Sequence, residues 1–306
     1  MDRLQSMGIF VAVVERGSFR GAARQLALSP ASVTAHVAEL ERHLSVQLLH
    51  RGTRGLELTD DGRVYHDHCS FVLDRIAQTE AQLRGARSVA LGRLSIDAYA
   101  TAGVHLVLPA LRAFAERQPG ITVDLSLTDR AYDVGADGFD VMLRHGPVSN
   151  EGLIARPLGE ASVLTVASPE YLAAHGEPAT PQDLLSNHEC LNLRSPRSGK
   201  VIDWVFSRRG EHLALSLPGR WSMSHNEQRV QAALAGLGLT QAVDYAVQPL
   251  LMAGRLKQVL SDWSPRNSPL LLLYAPHRRD VLKVKAFVDF LLECYPAGQP
   301  IVPRST

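Results

Sequence analysis

Near the beginning of the chain, the residues best suited to recognise a ligand are a set of short side chains. Ala31, Thr34 and Ala35 fall on or near one side of a segment that starts at Pro30, if that segment is helical. A helix face exposed to water normally carries Lys and Glu, whereas this face is small and nearly uncharged. Short side chains let a helix backbone approach base edges and thymine methyl groups in the major groove of DNA. The pattern therefore predicts a recognition helix.

Arginines at a glycine-bearing turn form the second group of candidate residues. Alternating apolar positions across residues 48–58 flank this turn and predict a two-stranded hairpin. Its tip carries Arg51, Thr53 and Arg54, and guanidinium groups beside a recognition helix can reach phosphates or a narrow minor groove. The alternative is a solvated turn that contacts no ligand.

Apolar residues at helical spacing predict three helices ahead of the hairpin, over about residues 3–15, 20–27 and 30–44. Ser18 and Ser29 are suited to cap the second and third helices. The third helix opposes its short side chains with Val33, Val37, Leu40 and Leu44. The first 58 residues carry seven arginines against five acidic residues, so charge alone is a weak sign of DNA binding. A small three-helix bundle without a ligand is the alternative.

His36 lies between the two faces of the third helix, so its position leaves packing and DNA contact equally open. The residues predicted to contact DNA are Ser29, Pro30, Ala31, Ser32, Thr34, Ala35, His36, Arg51, Thr53 and Arg54.

A long helix is predicted after the hairpin, from the cap residue Thr59 to about Ser88. One stripe of the helix is formed by Tyr65, Cys69, Val72, Ile76 and Leu83. A small domain cannot cover a stripe of this length, so we expect the same helix of a second subunit to cover it. Packing only within its own chain is the alternative.

Strand and helix patterns alternate from Gly92 onward, which predicts α/β sheets with helices on both faces. The predicted strands span residues 94–98, 121–127, 139–143 and 162–167, with a buried apolar run over 270–274. The predicted helices span residues 102–117, 169–174, 226–235 and 281–294. We expect two lobes, with the chain crossing near residues 158–163 and returning near 268–274.

Ligands in such folds bind in the cleft, at the carboxyl ends of strands and the N-termini of helices. This rule selects as effector-binding residues Tyr99, Thr101, Ala102, Arg144, His145, His225, Asn226 and Gln241. Helix N-termini close to Arg144 favour a carboxylate or another anion. For each of these residues a structural role is the equal alternative, and Arg144 could instead form a salt bridge within its lobe.

Composition and missing motifs exclude several classes of protein. With 45% apolar and 21% charged residues, the 306-residue chain is an ordinary globular protein, and it has no apolar run long enough to span a membrane. Without a signal segment it is expected in the cytoplasm. The three cysteines are expected as free thiols, and neither a metal site nor a cofactor is expected. Glycines 236 and 238 do not complete a dinucleotide fingerprint, and there is no GxSxG or Walker sequence.

The N-terminal pattern resembles that of the LysR-type transcriptional regulators. The resemblance is carried by Gly17-Ser18-Phe19, Ala22-Ala23, Leu26, Ser29-Pro30, Val33, Leu40-Glu41, Leu44, Leu48-Leu49, Arg51, Thr53-Arg54, Leu58-Thr59 and Gly62. The spacing of the helices, the turn between them and the two-stranded hairpin (the wing) all match the family pattern over this segment. The C-terminal segment is similar to the effector domain of the same family at residues 168–172 and 236–239.

The resemblance implies an α/β fold class with a winged helix-turn-helix domain over residues 1–59, a linker helix over 60–90 and a two-lobed, periplasmic-binding-protein-like effector domain over 91–306. It implies promoter DNA as one partner, read by the third helix in the major groove and by Arg54 in the minor groove. It further implies a small-molecule effector, a homodimer through the linker helix that pairs into a tetramer, and contact with RNA polymerase.

Three departures from the family pattern stand out. Ala35 replaces a frequent arginine and Gly52 a frequent threonine, so we expect fewer phosphate contacts from the third helix. His225-Asn226 replaces a common Asn-Asp pair, so the identity of the effector cannot be carried over. The rival hypotheses are a cytoplasmic small-molecule binding protein that does not bind DNA and, more remotely, an enzyme with a site in the cleft.

Overall fold

We analysed a computed structural model of the chain, which describes residues 2–52, 55–83, 90–129, 139–146, 152–195, 198–264, 268–296 and 301. Its N-terminal region consists of three helices and a two-stranded wing: α1 (Arg3–Glu15), α2 (Phe19–Gln25), α3 (Pro30–Leu44), β1 (Leu49–Gly52) and β2 (Gly55–Leu58). The predicted helices and hairpin are present. Thr53 and Arg54, at the tip of the wing, lie outside the described residues.

Side-chain caps fix the starts of α2 and α3. The Ser18 Oγ accepts the backbone N–H of Gly21 at 3.0 Å, and the Ser29 Oγ accepts that of Ser32 at 3.1 Å. These bonds satisfy amides that have no partner within the helix. The helix α2 ends earlier than predicted, because Ala27 adopts a left-handed φ of 53° that does not continue a helix.

One apolar core joins the three helices and the wing. Its buried members are Ile9, Phe10, Ala12, Val13, Ala22, Ala23, Val33, Val37, Leu40, Leu48, Leu49 and Cys69. The small side chains of Ala22 and Ala23 allow α2 to pack closely against α3. The core therefore buries the valine and leucine face of α3 and turns its opposite face outward.

The linker helix α4 (Asp60–Leu83) begins where predicted. The Thr59 Oγ1 accepts the N–H of Gly62 at 2.9 Å. A β-carbon at Gly62 would lie 1.9 Å from the carbonyl oxygen of Leu48, so only glycine allows α4 to start this close to the wing. The predicted end at Ser88 lies outside the described residues.

The apolar stripe of α4 does not have a single partner, and this corrects our expectation that a second subunit covers all of it. Cys69 is buried and Tyr65 half-buried against the N-terminal core of the same chain. Val72 and Ile76 line an open groove together with Phe71, which also packs against the effector domain. The side chain of Leu83 lies outside the described residues. The expected subunit contact is therefore restricted to the second half of the helix.

Lobe I is built on a five-stranded sheet. Its strands are β3 (Gly92–Ala98), β4 (Ile121–Leu127), β5 (Val141–His145), β6 (Ile154–Ala161) and β14 (Ser268–Tyr274), in the order β4-β3-β5-β14-β6. The strands β4, β3 and β5 are parallel, and β14 runs antiparallel to β5 and β6. The strand predicted over residues 139–143 begins two residues later, because Asp140 is held by Ser95 outside the ladder.

Two helical segments cover the sheet of lobe I. The first comprises α5 (Ala100–Ala102), a π-helical turn (Gly103–Val107) and α6 (Leu108–Arg117); the second is α10 (Leu282–Cys294). The first segment was predicted as one helix from residue 102, and periodicity did not indicate its π turn. Phe114 on α6 packs edge-on against Phe287 on α10, at 5.3 Å between ring centroids. These contacts close the core of lobe I.

Lobe II is built on shorter strands. Its elements are β7 (Val163–Ala167), α7 (Pro169–His175), β8 (Leu191–Leu193), β9 (Trp204–Arg208), β10 (Glu211–Leu215), β11 (Trp221–Met223), α8 (Asn226–Leu234), β12 (Thr240–Val243), α9 (Asp244–Met252) and β13 (Lys257–Val259). The order β12-β7-β13 is antiparallel, and β11 pairs with β8 in parallel. The bridge between Cys190 and Leu239 connects the two sheets. Periodicity did not predict α9, which contains Pro249 and is apolar over most of its surface.

The two lobes meet where predicted. The chain leaves lobe I between β6 and β7 at Ser162 and returns before β14, so two crossings form the hinge. The Asp244 carboxylate accepts the backbone N–H of Ser162 at 3.0 Å, which ties the start of α9 to the outgoing crossing. The described residues include no helix with the length and apolar character needed to cross a bilayer.

Buried charges fix α4 against lobe I. The Arg278 guanidinium, after β14, pairs with Asp67 on α4 and with Asp140, the residue before β5. The Lys283 ammonium lies 2.8 Å from the carboxylate of Asp74, also on α4. Removing one member of such a buried pair would leave an uncompensated charge, so this junction holds the N-terminal region in one orientation.

Candidate functional site

The outer face of α3 has the character that the sequence predicts. Ala31 and Ala35 are exposed, while Val33 and Val37 on the other side are completely buried. The Thr34 hydroxyl donates to the carbonyl oxygen of Pro30 at 2.9 Å, so it projects little beyond the backbone. The resulting surface is low, uncharged and accessible, as close contact with a groove requires.

The first turn of α3 adds exposed Ser29 and Pro30 and half-buried Ser32. The Ser29 Oγ is occupied in capping the helix, so the structure gives this residue a positioning role. Glu41, farther along α3, accepts the N–H groups of Leu48 and Leu49 at 2.9 and 3.2 Å. It thereby fixes the wing relative to α3, a role that the sequence analysis did not detect.

His36 packs against α1, as the sequence left open. Its Nδ1 lies 3.0 Å from the Ser6 Oγ, and its ring is half-buried. Arg51 lies in β1, but its side chain is outside the part of the chain that the structure describes, as are Thr53 and Arg54. The described part of the predicted DNA-contacting surface is therefore α3.

A cavity of about 480 Å³ lies between the two lobes of the effector domain. This volume is within the usual range for small-molecule sites. Its walls are mainly apolar and aromatic, with a few polar groups. The lining residues are Tyr99, Thr101, Asp129, His145, Ala161, Val163, Leu193, Ser195, Ile202, Asp203, Trp204, Ser224, Asn226, Arg229, Gln241, Ala242, Val243, Tyr245 and Ser268.

Five of the predicted effector-binding residues line this cavity: Tyr99, Thr101, His145, Asn226 and Gln241. Gln241 already makes two hydrogen bonds, because its amide donates to the carbonyl oxygen of Val205 at 2.9 Å and accepts that residue's N–H at 3.3 Å. It therefore holds β9 against β12, and one amide N–H and one lone pair of its oxygen remain for a ligand.

Ala102, Arg144 and His225 do not line the cavity. Ala102 is completely buried in the core of lobe I. Arg144 is buried and pairs with Asp97, while its Nη1 donates to the carbonyl oxygen of Leu143 at 2.8 Å. The alternative role for Arg144, a salt bridge within its lobe, is thus the one that the structure has. Our choice of Arg144 as the anion-binding group is wrong, because its guanidinium pairs within lobe I.

Arg229 carries the positive charge of the cavity wall. It is only 6% exposed, and its Nε has no hydrogen-bond partner among the described residues. Its guanidinium donates to the amide oxygen of Asn226, one turn earlier on α8, and no carboxylate of the described residues pairs with it. Burial lowers the pKa of Arg229 to about 10, so the group stays charged at neutral pH.

Thr101 is the second cavity residue with an unsatisfied polar atom. The residue is 5% exposed, and its Oγ1 has no hydrogen-bond partner in the part of the chain that the structure describes. Buried polar groups without a partner are costly in a folded protein and are rare for that reason. Two such groups, from α5 in lobe I and α8 in lobe II, line the same cavity.

Histidine and carboxylate pairs bridge the lobes beside the cavity. The His225 Nδ1 lies 3.0 Å from the Asp129 carboxylate, which also accepts the N–H of Ala100 at 3.2 Å. Two residues after His225, in the first turn of α8, the Glu227 carboxylate lies 3.1 Å from the Nε2 of His105 in the π turn. His225 and Glu227, the neighbours of the cavity residue Asn226, thus both contact lobe I.

His145 and Tyr245 form the inner wall of the cavity. Their rings are stacked at 5.8 Å, and the His145 Nε2 lies 2.7 Å from the Tyr245 hydroxyl. Burial lowers the pKa of His145 to about 4, so its imidazole is neutral at neutral pH. His145 therefore supplies a polar edge to the cavity but no charge.

Sequence reasoning missed Arg229, Asp129, Trp204 and Tyr245. Arg229 could have been found, because it lies one helical turn after the predicted Asn226 and shares its face. Asp129 lies two residues after the end of a predicted strand, in the region where the rule for strand ends places ligands. Trp204 and Tyr245 lie in elements that periodicity did not predict.

The described residues contain no cluster of His, Cys, Asp and Glu that could hold a metal ion. Cys69 and Cys190 are buried free thiols, and Cys294 is half-buried.

Comparison with known proteins gives two family matches. Residues 4–63 match the bacterial regulatory helix-turn-helix protein, lysR family, and residues 87–295 match the LysR substrate binding domain. An HTH-type transcriptional repressor of Pseudomonas aeruginosa is 35% identical over 295 residues, which cover 96% of this chain and 93% of that protein.

Solved structures give the same result along the full chain. CrgA, a LysR-type transcriptional regulator from Neisseria meningitidis, superposes with a TM-score of 0.62 at 32% identity and covers 94% of this chain and 97% of its own. The Vibrio cholerae virulence activator AphB superposes with a TM-score of 0.61 at 31% identity and covers 96% of this chain and 99% of its own. These matches confirm the predicted fold class and the resemblance from which it came. The chain therefore belongs to the LysR family of helix-turn-helix transcriptional regulators, which bind DNA and small-molecule effectors and form oligomers.

Proposed function

We propose that this regulator contacts double-stranded promoter DNA through the outer face of α3 and the wing arginines, and that it responds to an anionic small molecule in the cavity between its lobes. The effector we propose has one carboxylate and an apolar or aromatic body. The division of labour follows the proposed domains, with residues 1–59 contacting DNA, 60–90 linking subunits and 91–306 binding the effector. The protein acts in the cytoplasm, where promoter DNA is found.

The observation that carries the effector proposal is the buried guanidinium of Arg229, which has no carboxylate partner among the described residues. An isolated charge in a buried site is costly, and that cost falls when an anion supplies the missing partner. Thr101 adds a hydroxyl that can donate to the same anion. Among the described residues of the cavity wall, the acidic groups are Asp129, whose oxygens already have two donors, and Asp203, which is exposed.

The remaining walls define the body of the effector. Tyr99, Trp204 and Tyr245 contribute aromatic rings, and Leu193 and Ile202 contribute aliphatic side chains. A flat or branched apolar group in contact with these walls gains free energy in proportion to the area it buries. We propose that the cavity binds this molecule without transforming it, so that effector binding alone changes the relative position of the lobes.

We propose that two chains pair through the second half of α4, along the groove of Phe71, Val72 and Ile76. The groove is apolar and open, whereas the first half of the helix is covered by its own chain. Pairing there presents two copies of α3 to the two halves of an operator. Further pairing into a tetramer and contact with RNA polymerase are the extensions of this assembly that we propose.

The effector proposal is tested by a thermal-shift panel on the full-length protein. Aromatic and aliphatic monocarboxylates should raise the melting temperature, because a ligand that binds only the folded state stabilises it. Matched carboxamides and amines of the same shape should not. Equal stabilisation by an amide and its parent carboxylate would show that Arg229 does not select the charge of the ligand.

The DNA proposal is tested by gel shift with DNA from upstream of the gene. Binding should be tight and should weaken steeply as the salt concentration rises, because phosphate contacts release counterions. The rival hypothesis, a small-molecule binding protein without DNA binding, predicts ligand stabilisation but no shifted band. The rival enzyme hypothesis predicts turnover of a cavity ligand that is lost on substitution of a cavity residue.

A further inference from the structure

A buried hydrogen-bond chain links the recognition helix to the first turn of α1. The Ser6 side chain is completely buried, and its Oγ lies 2.9 Å from the carbonyl oxygen of Asp2 and 3.0 Å from the Nδ1 of His36. A serine hydroxyl has one proton to donate. If that proton pointed to His36, the Ser6 and Asp2 oxygens would face each other at 2.9 Å with no proton between them.

The arrangement that satisfies both contacts puts the proton of Ser6 on the side of Asp2. The Ser6 Oγ then accepts a hydrogen bond, and the Nδ1 of His36 must donate it. A neutral imidazole has one N–H, so the remaining ring nitrogen is left with a lone pair. In the neutral ring, the Nε2 of His36 is therefore a hydrogen-bond acceptor.

That acceptor is available to a ligand. The His36 ring is half-exposed, and no described residue contacts its Nε2 through a hydrogen bond. His36 follows Ala35 of the outer face directly and lies one helical turn after Ser32. Because the side chains of that face are short, α3 can enter the groove deeply enough for a longer side chain on its flank to meet a base edge.

In the major groove, the base atoms that donate hydrogen bonds are the N6 amino group of adenine and the N4 amino group of cytosine. Guanine and thymine present only acceptors, which would repel the lone pair of Nε2. We propose that His36 reads sequence by accepting a hydrogen bond at Nε2 from the amino group of an adenine or a cytosine. Ser6 is then a positioning residue, which fixes the tautomer on which that preference depends. This inference rests on the proposed contact of α3 with DNA.

The experiment is selection of binding sites from a randomised duplex library with the full-length protein. The wild type should prefer adenine or cytosine at one position of each half-site, and His36→Ala should lose the preference at that position alone. Ser6→Ala should also accept guanine or thymine there, because its ring can place the proton on either nitrogen. The matched control is His43→Ala, since His43 is an exposed histidine on the last turn of the same helix.

A base analogue makes the test atom-specific and removes its dependence on the folding of a variant. At a selected adenine, purine lacking the amino group should weaken wild-type binding roughly threefold to tenfold, the effect of one neutral hydrogen bond. The same analogue should have no further effect on His36→Ala. Additive losses, an unchanged preference in His36→Ala, or a wild-type preference for guanine or thymine would each overturn the proposal. Failure of the wild type to select any site would instead contradict the proposed function.

Discussion

The outer face of α3 and the cavity between the lobes recognise their ligands by opposite means. The face exposes Ala31 and Ala35, and the hydroxyl of Thr34 is already satisfied by its own helix. The cavity holds Arg229 and Thr101, whose buried Nε and Oγ1 atoms have no hydrogen-bond partner among the described residues. The first surface depends on what is absent from it, namely bulk and charge, whereas the second depends on groups that only a ligand can satisfy.

This difference decides how each region responds to substitution. On the face, adding a group should do more damage than removing one, because there is little to remove. In the cavity, removing a polar group should weaken the ligand while relieving the free protein of a buried, unsatisfied atom. Binding and stability should therefore change in opposite directions in the cavity, and binding alone should change on the face.

The largest effect is expected for Ala35→Glu. A carboxylate at this exposed position would face the phosphates and base acceptors of the groove, and like charges at an interface cost several kcal/mol. We expect the affinity for promoter DNA to fall by about 100-fold or more, measured by fluorescence anisotropy. Effector affinity and melting temperature should not change.

The matched control for Ala35→Glu is Ala174→Glu, at an exposed position near the end of α7 in lobe II. It adds the same charge far from α3 and should leave DNA affinity within about twofold, since exposed charges beyond the Debye length are screened. Similar losses in both variants would mean that net charge, and not the outer face, controls binding.

The second effect is expected for Arg229→Gln in the cavity. Loss of a charged hydrogen bond should lower the affinity for a carboxylate effector by roughly 10- to 100-fold, measured by calorimetry. The melting temperature without effector should stay the same or rise, because an uncompensated buried charge has been removed. Arg255→Gln, at an exposed arginine after α9, is the control and should change neither quantity.

A fall in the melting temperature of effector-free Arg229→Gln, with effector affinity intact, would contradict this assignment. It would mean that Arg229 stabilises lobe II and does not serve the ligand.

A smaller effect of the same kind is expected for Thr101→Val. The substitution keeps the shape of the side chain and removes the hydroxyl, so effector affinity should fall roughly threefold to tenfold. Stability without effector should not fall, because the lost hydroxyl had no partner. An unchanged affinity would show that the carboxylate is held by Arg229 without help from lobe I.

The same two regions differ in how far sequence predicts them. The face of α3 lies within one helix, so apolar periodicity determines which side is buried, and the predicted residues 31, 34 and 35 point outward as expected. The cavity combines residues from both lobes that are far apart in the chain, and periodicity does not report which of two arginines lacks a partner. Arg144 was chosen for its position after a strand, but Asp97 on the neighbouring strand neutralises it.

Contacts with residues distant in sequence also explain the other differences between prediction and structure. Gln241 lies in the cavity wall as predicted, but its amide also bonds the backbone of Val205 and joins β9 to β12. The stripe of α4 was predicted from its spacing, but spacing does not distinguish a partner in the same chain from one in another. In each case the helix or strand itself was predictable from the sequence. What its polar or apolar side chains contact depended on residues distant in sequence.

The smallest effect is expected for Glu227→Gln, at the seam between the lobes. The Glu227 carboxylate lies 3.1 Å from His105, but the two side chains remain 31% and 24% exposed, and partly solvated pairs contribute at most about 1 kcal/mol. Effector affinity should therefore fall by about fivefold at most, because the amide can still contact His105 while the attraction across the seam is weakened. DNA affinity without effector should not change. The control is Glu211→Gln on the exposed hairpin of lobe II, which has no contact with lobe I in the described residues. A loss of effector affinity as large as that of Arg229→Gln would mean that the seam, and not the guanidinium in the cavity, is the main source of effector affinity. The contrast between a cavity that selects charge and a helix face that selects shape would then be wrong.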